Sequence, residues 1–298
     1  MLALATNDEN TMNLRTLLLS TLLTSNIAIA DETPLTLDVY NADSNSFHVN
    51  ATLVYGRTDA ILIDTGFTKA DALRIAAKVI DSGKQLKTIF ISQADPDYYF
   101  GAEVLQQFFP EAEVITTPAV HQKIAAKLKG KLAFWTPKMG ENAPKNPVVP
   151  KVFNGNSLKI EGHTIEIRGT EGEHNHRPYL WIPDNKAILG NVAVYANVHL
   201  WMADAQTQAE QNAWAKQLNE MKALNPDVVI PGHMKAGTQL DAANIDFSIQ
   251  YLKDFAHAKQ SSDSSKLLID KMTNSYPEAV LPMALSIGAK VHKGEMKW

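Results

Sequence analysis

The feature that most restricts the fold of this chain is the grouping of its short apolar runs into two blocks, each followed by helical segments. In the first block, residues 35–63 read as strands. SFHVNATLVYG alternates, and DAILID is an apolar run of strand length bounded by turn residues. Thr68 to Ile80 reads as a helix with Ala72, Ile75, Ala76, Val79 and Ile80 on one face and Gly83 as its stop. LKTIFIS (86–92) is expected to be a buried strand, followed by a helix from about Asp97 to Phe109, the strand AEVITT and a helix over 118–133. Residues 134–150 are a Pro-rich connector, in which Trp135 is a candidate either for lining a pocket or for packing. The second block holds KVF, SLKI, HTIEIR and YLWIP. Thr207 with Glu210 then makes a capping box for a helix carrying Trp214, Leu218 and Met221 on one side. NPDVVIPGH reads as a last strand ending in His233, and the chain from Asn244 onward as mainly helical. Strands in two halves, each with its helices, imply two packed sheets with helices outside.

The 298 residues are 45% hydrophobic, enough for one large core or two smaller ones. A formal net charge of -4 lacks the basic excess that marks nucleic-acid binders, so no nucleic-acid partner is expected. There is no cysteine, so disulfides and thiolate metal sites are excluded, and any metal must use His, carboxylate, amide, tyrosine or water. From Met12, MNLRTLLLSTLLTSNIAIA has a short basic region at Arg15, an apolar run and the small-x-small site Ala28-Ile29-Ala30. This is the pattern of a secretory signal peptide cleaved after about Ala30, with a membrane anchor as the alternative. It divides the chain into an extension with its signal (1–30) and one mature domain (31–298), periplasmic or secreted, with no span after cleavage.

Four landmarks recur in a fixed order between about residues 46 and 233. VNATLVYGRTDAILIDTG ends in Ile63-Asp64-Thr65-Gly66, and TIFISQADPDYYFGA follows. Then come EGEHNHRPYLWIPDNKAILGN and, last, VVIPGH. Together they resemble the metallo-β-lactamase superfamily, covering most of the mature chain. The resemblance implies an α/β fold, a four-layer αβ/βα sandwich. It also implies a site where two zinc ions, held by histidines and a bridging carboxylate, lower the pKa of bound water.

Residue by residue, the resemblance places Gln93 and Asp95 where two histidines of the first metal would stand. Asp97 matches the motif's aspartate. Tyr98 replaces a second-metal histidine, Glu173 falls at the third first-metal histidine with His174 or His176 as alternatives, Asn191 replaces the bridging aspartate, and His233 is retained. Neutral amides bind metal weakly, so two zinc ions bound in the usual way are not expected. The set Asp95, Asp97, Glu173 and His233, with Gln93, Asn191, His174 and His176 as weaker donors, is expected to hold one divalent ion (Zn, Mn, Fe, Mg or Ca) or none. Asp97, Asp95 and Tyr98 are the candidate catalytic residues. Asp64 in the turn is expected to be structural. The implied activity is hydrolysis of a small ester, lactone, amide or phosphoester. The alternative is a non-catalytic protein that binds a small molecule in a metal-free cleft. The sequence leaves the oligomeric state open.

Overall fold

In the first strand block the backbone alternates between two cores. The computed structural model describes residues 33–298; the expected signal peptide lies outside them. Strands β1 (Thr36–Asn41), β2 (Asn50–Tyr55) and β3 (Asp59–Ile63) form an antiparallel meander, to which β4 (Gln85–Phe90), β5 (Glu113–Thr116) and β6 (Lys151–Val152) add in parallel. Each parallel addition needs a crossover, and helices supply it. They are α1 (Lys69–Ser82), then the pair α2 (Pro96–Tyr99) and α3 (Ala102–Phe108), then α4 (Pro118–Met139). The second sheet contains β7 (Ser157–Ile160), β8 (His163–Arg168), β9 (Tyr179–Ile182), β10 (Ala187–Leu189) and β12 (Val228–Val229), in the order β12-β10-β9-β8-β7. A separate two-stranded parallel ribbon joins β11 (Tyr195–Ala196) to β13 (His233–Met234). Helices α5 (Gln208–Ala223), α6 (Ala243–Gln260), α7 (Ser265–Ser275) and α8 (Pro282–His292) complete the chain.

The side-chain period of two sorts each strand between layers. Ile61 and Ile63 of β3 join Leu158, Ile165, Leu180 and Leu189 in an inter-sheet core, while Ala60 and Leu62 point the other way, into the core that holds Ile75 and Val79 of α1. In β9, Leu180 and Ile182 face the first sheet, whereas Tyr179 and Trp181 belong to the core with Trp214 and Leu218 of α5. The result is the four-layer helix–sheet–sheet–helix sandwich expected from the motifs. No helix among the described residues is long and apolar enough to cross a membrane.

Five local expectations change. KVF, expected in the second strand block, pairs as β6 with β5 and so edges the first sheet. Ile80 is 59% exposed, because the buried face of α1 ends with Val79. The helix expected over 97–109 is broken at Gly101, where a Cβ would lie 2.0 Å from the Thr65 carbonyl oxygen; only glycine lets the chain pass that close. The connector begins late: α4 runs on to Met139, so Phe134 and Trp135 are helical. The last strand is two strands in different sheets, β12 and β13, with Pro231 and Gly232 between them.

Candidate functional site

The ends of β3, β4, β11 and β13 and the face of α4 border one cleft of about 760 Å³. Its frame is set by hydrogen bonds among loops. Asp64 adopts φ 64°, and its carboxylate accepts from Ser92 N–H and Ser92 Oγ, both at 2.7 Å, tying the end of β3 to the end of β4. Burial pushes Asp64 up to about 7 against those hydrogen bonds. Thr65 N–H donates to the Tyr98 carbonyl at 2.8 Å, which holds α2 beneath the turn.

Two of the sequence-predicted residues meet at the floor. His233 Nε2 lies 3.5 Å from Asp97 Oδ2. His233 Nδ1 lies 2.9 Å from the Phe47 carbonyl, an acceptor only, so Nδ1 carries the proton and Nε2 is the bare nitrogen facing Asp97. The imidazole stacks on Tyr195 at 5.0 Å and meets the Tyr98 ring edge-on. Burial lowers His233 to about 4. Burial, then repulsion from Asp95, raises Asp97 to about 8. Near neutral pH the floor therefore holds a protonated carboxyl beside a neutral imidazole.

Asp95 lines the same cleft but takes the opposite charge state. Burial works against ionisation, yet Lys131 at 3.2 Å and the nearby Arg177 outweigh it and hold Asp95 at about 2. Arg177 in turn lies 3.5 Å from Asp204.

The remaining expected donors are engaged or elsewhere. Asn191 uses both ends of its amide: Nδ2 donates to the Ile230 carbonyl at 3.1 Å, and Oδ1 accepts from Val194 N–H at 2.8 Å. The Tyr98 hydroxyl donates to the Asn191 carbonyl at 3.2 Å, and this knot is close enough that a Cβ on Gly232 would sit 2.5 Å from the Tyr98 hydroxyl. Gln93 is fully buried and gives Nε2 to the Pro178 carbonyl at 2.8 Å, leaving Oε1 without a partner. Glu173 is exposed, outside the lining of the cleft. His174 is buried with Nδ1 unpartnered and also outside the lining, whereas His176 is part of it. Burial, with Arg177 among the further causes, lowers His174 to about 4 and His176 to about 3.

The set Asp95, Asp97, Glu173 and His233 is thus not brought together, and the described residues contain no group of three or more His, Asp or Glu side chains arranged to hold a metal ion. The donor chemistry does not fit a resident divalent ion: one carboxylate already carries an ammonium, the amide at the bridging position is saturated, and Asp97 with His233 makes only two donors.

Sequence reasoning missed the cationic lining and, apart from Trp135, the aromatic one. Lys123, Lys127 and Lys131 all face the cleft from α4, and their four-residue spacing was a legible sign of a shared face. Phe47, Phe67, Trp201 and, from α4, Trp135 form a connected aromatic part of the lining, with ring centroids 5.1–5.8 Å apart from Phe47 to the other three. No local pattern marks Phe47 or Trp201, because only the fold joins them.

A comparison with curated proteins returned no match. Among solved structures, the chain is similar to a metallo-beta-lactamase family protein from Thermus thermophilus, with TM-score 0.59 and 15% identity over 88% of this chain and 93% of that one. It is also similar to metallo-beta-lactamases from Pontibacter korlensis (TM-score 0.51, 17% identity, 74% of this chain and 100% of that one) and Hirschia baltica (0.51, 16%, 74% and 98%). At these identities the likeness is one of fold. The family model of the metallo-beta-lactamase superfamily matches residues 45–233, from the loop before β2 to the floor histidine, and the chain belongs to that superfamily.

Proposed function

We propose that this protein is a hydrolase-like member of the superfamily whose cleft takes up a small ester, lactone, amide or phosphoester without a resident metal. Asp97 and His233 handle the proton. The observation that carries the reading is the pairing of Asp97 with His233 at 3.5 Å while Lys131 neutralises Asp95 at 3.2 Å. Protein cations supply positive charge beside a carboxylate, as metal ions do in such sites. A carboxyl and an imidazole within reach of one another can pass a proton to or from a bound molecule.

The test is a panel of chromogenic esters, lactones, amides and phosphoesters, run with chelator and with added Zn²⁺, Mn²⁺, Fe²⁺, Mg²⁺ or Ca²⁺, together with metal analysis of the purified protein. Turnover that survives chelation in metal-free protein supports the proposal. One stoichiometric divalent ion whose removal abolishes turnover would replace it with the mononuclear reading.

A second reading, binding without catalysis, is favoured by one observation: the Tyr98 hydroxyl is engaged with Asn191, and the bare His233 nitrogen faces Asp97, so neither offers a ready nucleophile or base. No turnover under any condition, together with thermal stabilisation by a cleft ligand, selects it. We also propose export to the periplasm on the strength of the sequence from Met12 to Ala30. Mass analysis of protein recovered from the periplasm is expected to give an N-terminus at or near Asp31; an intact leader in the cytoplasm would count against export.

A further inference from the structure

Two parts of the cleft lining differ in kind. On the α4 side, Lys123 and Lys127 have no carboxylate within 4.0 Å among the described residues, although four acidic residues line the same cleft. Each of those four already has a partner. Asp95 has Lys131, Asp97 faces His233, and Asp204 takes Arg177 and accepts from the Trp298 indole at 2.6 Å. Glu210 closes its capping box, accepting from Thr207 N–H at 2.8 Å. The two lysines are therefore surplus positive charge. Burial, then Arg177 and Lys127, lowers the Lys123 ammonium, as expected where cations crowd. Next to them in the lining stands the aromatic cluster of Phe47, Phe67, Trp201 and, from α4 itself, Trp135, a stacking surface with no charge of its own.

We infer that the ligand of this cleft is an organic anion: a ring-sized apolar body that lies on the Phe47–Trp135–Trp201 wall, joined to an oxyanion head that docks on Lys123 and Lys127. This rests on the reading of the cleft as a small-molecule site and names the class of molecule it takes. The cleft of about 760 Å³ has the size of ordinary small-molecule pockets. Ammonium-to-oxyanion bonds are stronger than neutral ones, and a partly desolvated lysine gains most from such a partner. A neutral ligand would leave Lys123 half-buried beside Arg177, offset only by Asp95 and Asp204, neither within 4.0 Å of it. A cationic ligand would add repulsion.

The test titrates the purified full chain with 2-naphthoate and with its neutral analogue 2-naphthalenemethanol, reading tryptophan fluorescence and calorimetry. Naphthoate is expected to bind about tenfold more tightly or better. The double variant Lys123→Ala and Lys127→Ala is expected to erase that preference while leaving the alcohol's affinity unchanged; alanine suits a helix, so α4 should persist. Independently of any variant, raising the salt concentration should weaken naphthoate and leave the alcohol unaffected. Trp135→Ala should weaken both probes. Equal affinity for the two probes, or a naphthoate affinity indifferent to salt and to the lysine substitutions, overturns the inference and leaves the metal-free reading standing. If neither probe binds, the inference falls as well, and the chromogenic panel still decides the earlier proposal. Conversely, a stoichiometric metal would sink that proposal's chemistry without touching the anion preference.

Discussion

Asp97 and His233 share one environment and respond to it in opposite directions. Burial favours the uncharged form of any group, which means holding a proton for a carboxyl and lacking one for an imidazole. With Asp97 up at about 8 and His233 down at about 4, both are neutral in the interval between. Activity or binding that depends on the neutral pair should hold a plateau across that interval and fall on either side. Asp97→Asn separates the two roles, because asparagine is neutral at every pH but has no acidic proton. If the proton is used in turnover, the variant loses activity by about 10²-fold or more across the plateau. If only neutrality matters, the variant keeps its function and loses the alkaline limb.

Asp64 allows a cleaner stability test, since it touches no ligand-facing group. Its folded pKa of about 7 lies above the ordinary carboxyl value of 3.8. The folded state therefore binds more protons than the unfolded state between those values, and stability must fall as pH rises through that window, by at most about 1.4 kcal/mol per pH unit. In Asp64→Asn the amide can still accept from the Ser92 N–H, and asparagine tolerates the positive φ. The variant's denaturant midpoint is expected to lose this component of pH dependence. An identical slope in both proteins would mean that Asp64 is ionised in the fold.

At the scale of elements, the strands and helices were largely legible because their periods are local. The alternation in β2, the apolar run of β3, the capping box at Thr207 and the glycine stop at Gly83 all have their cause within a few residues. The break between α2 and α3 does not. Gly101 is dictated by the Thr65 carbonyl, thirty-odd positions away in sequence, and no propensity reports it. Gly101→Ala should cost about 2–4 kcal/mol in chemical denaturation, since backbone must move to admit a methyl. A loss under about 0.5 kcal/mol would show that the turn can yield. The site was legible only in part for a related reason. The motif order located Asp97 and His233 on converging elements, but the charge of Asp95 is set by Lys131, a residue of a different helix. Lys131→Met tests that assignment. If the ammonium stands where a cation would otherwise bind, the variant should gain affinity for Mn²⁺ or Zn²⁺ by about tenfold in calorimetric titration. Unchanged metal affinity would mean that Lys131 is not what keeps a metal out.

At the scale of the molecule, the pairing of Asp97 with His233 depends on how the two strand blocks sit against each other. Asp97 follows β4 of the first sheet, whereas His233 follows β12 of the second and is held by the ribbon to Tyr195 and by a bridge to Val49. The inter-sheet core of Ile61, Ile63, Phe90, Leu180 and Leu189 is what fixes this placement. Such a core belongs to neither half alone, so the blocks should not unfold separately. Denaturant transitions followed by tryptophan fluorescence and by far-ultraviolet circular dichroism are expected to coincide. Leu180→Ala, at the centre of that core and fully buried, should move both transitions together by about 2–5 kcal/mol. Its effect on the cleft should be small as long as the chain is folded, because a cavity between close-packed sheets destabilises more than it displaces. Two separated transitions, or a Leu180→Ala effect confined to one probe, would mean that each block carries its own stability and that the site geometry is maintained by the loops alone.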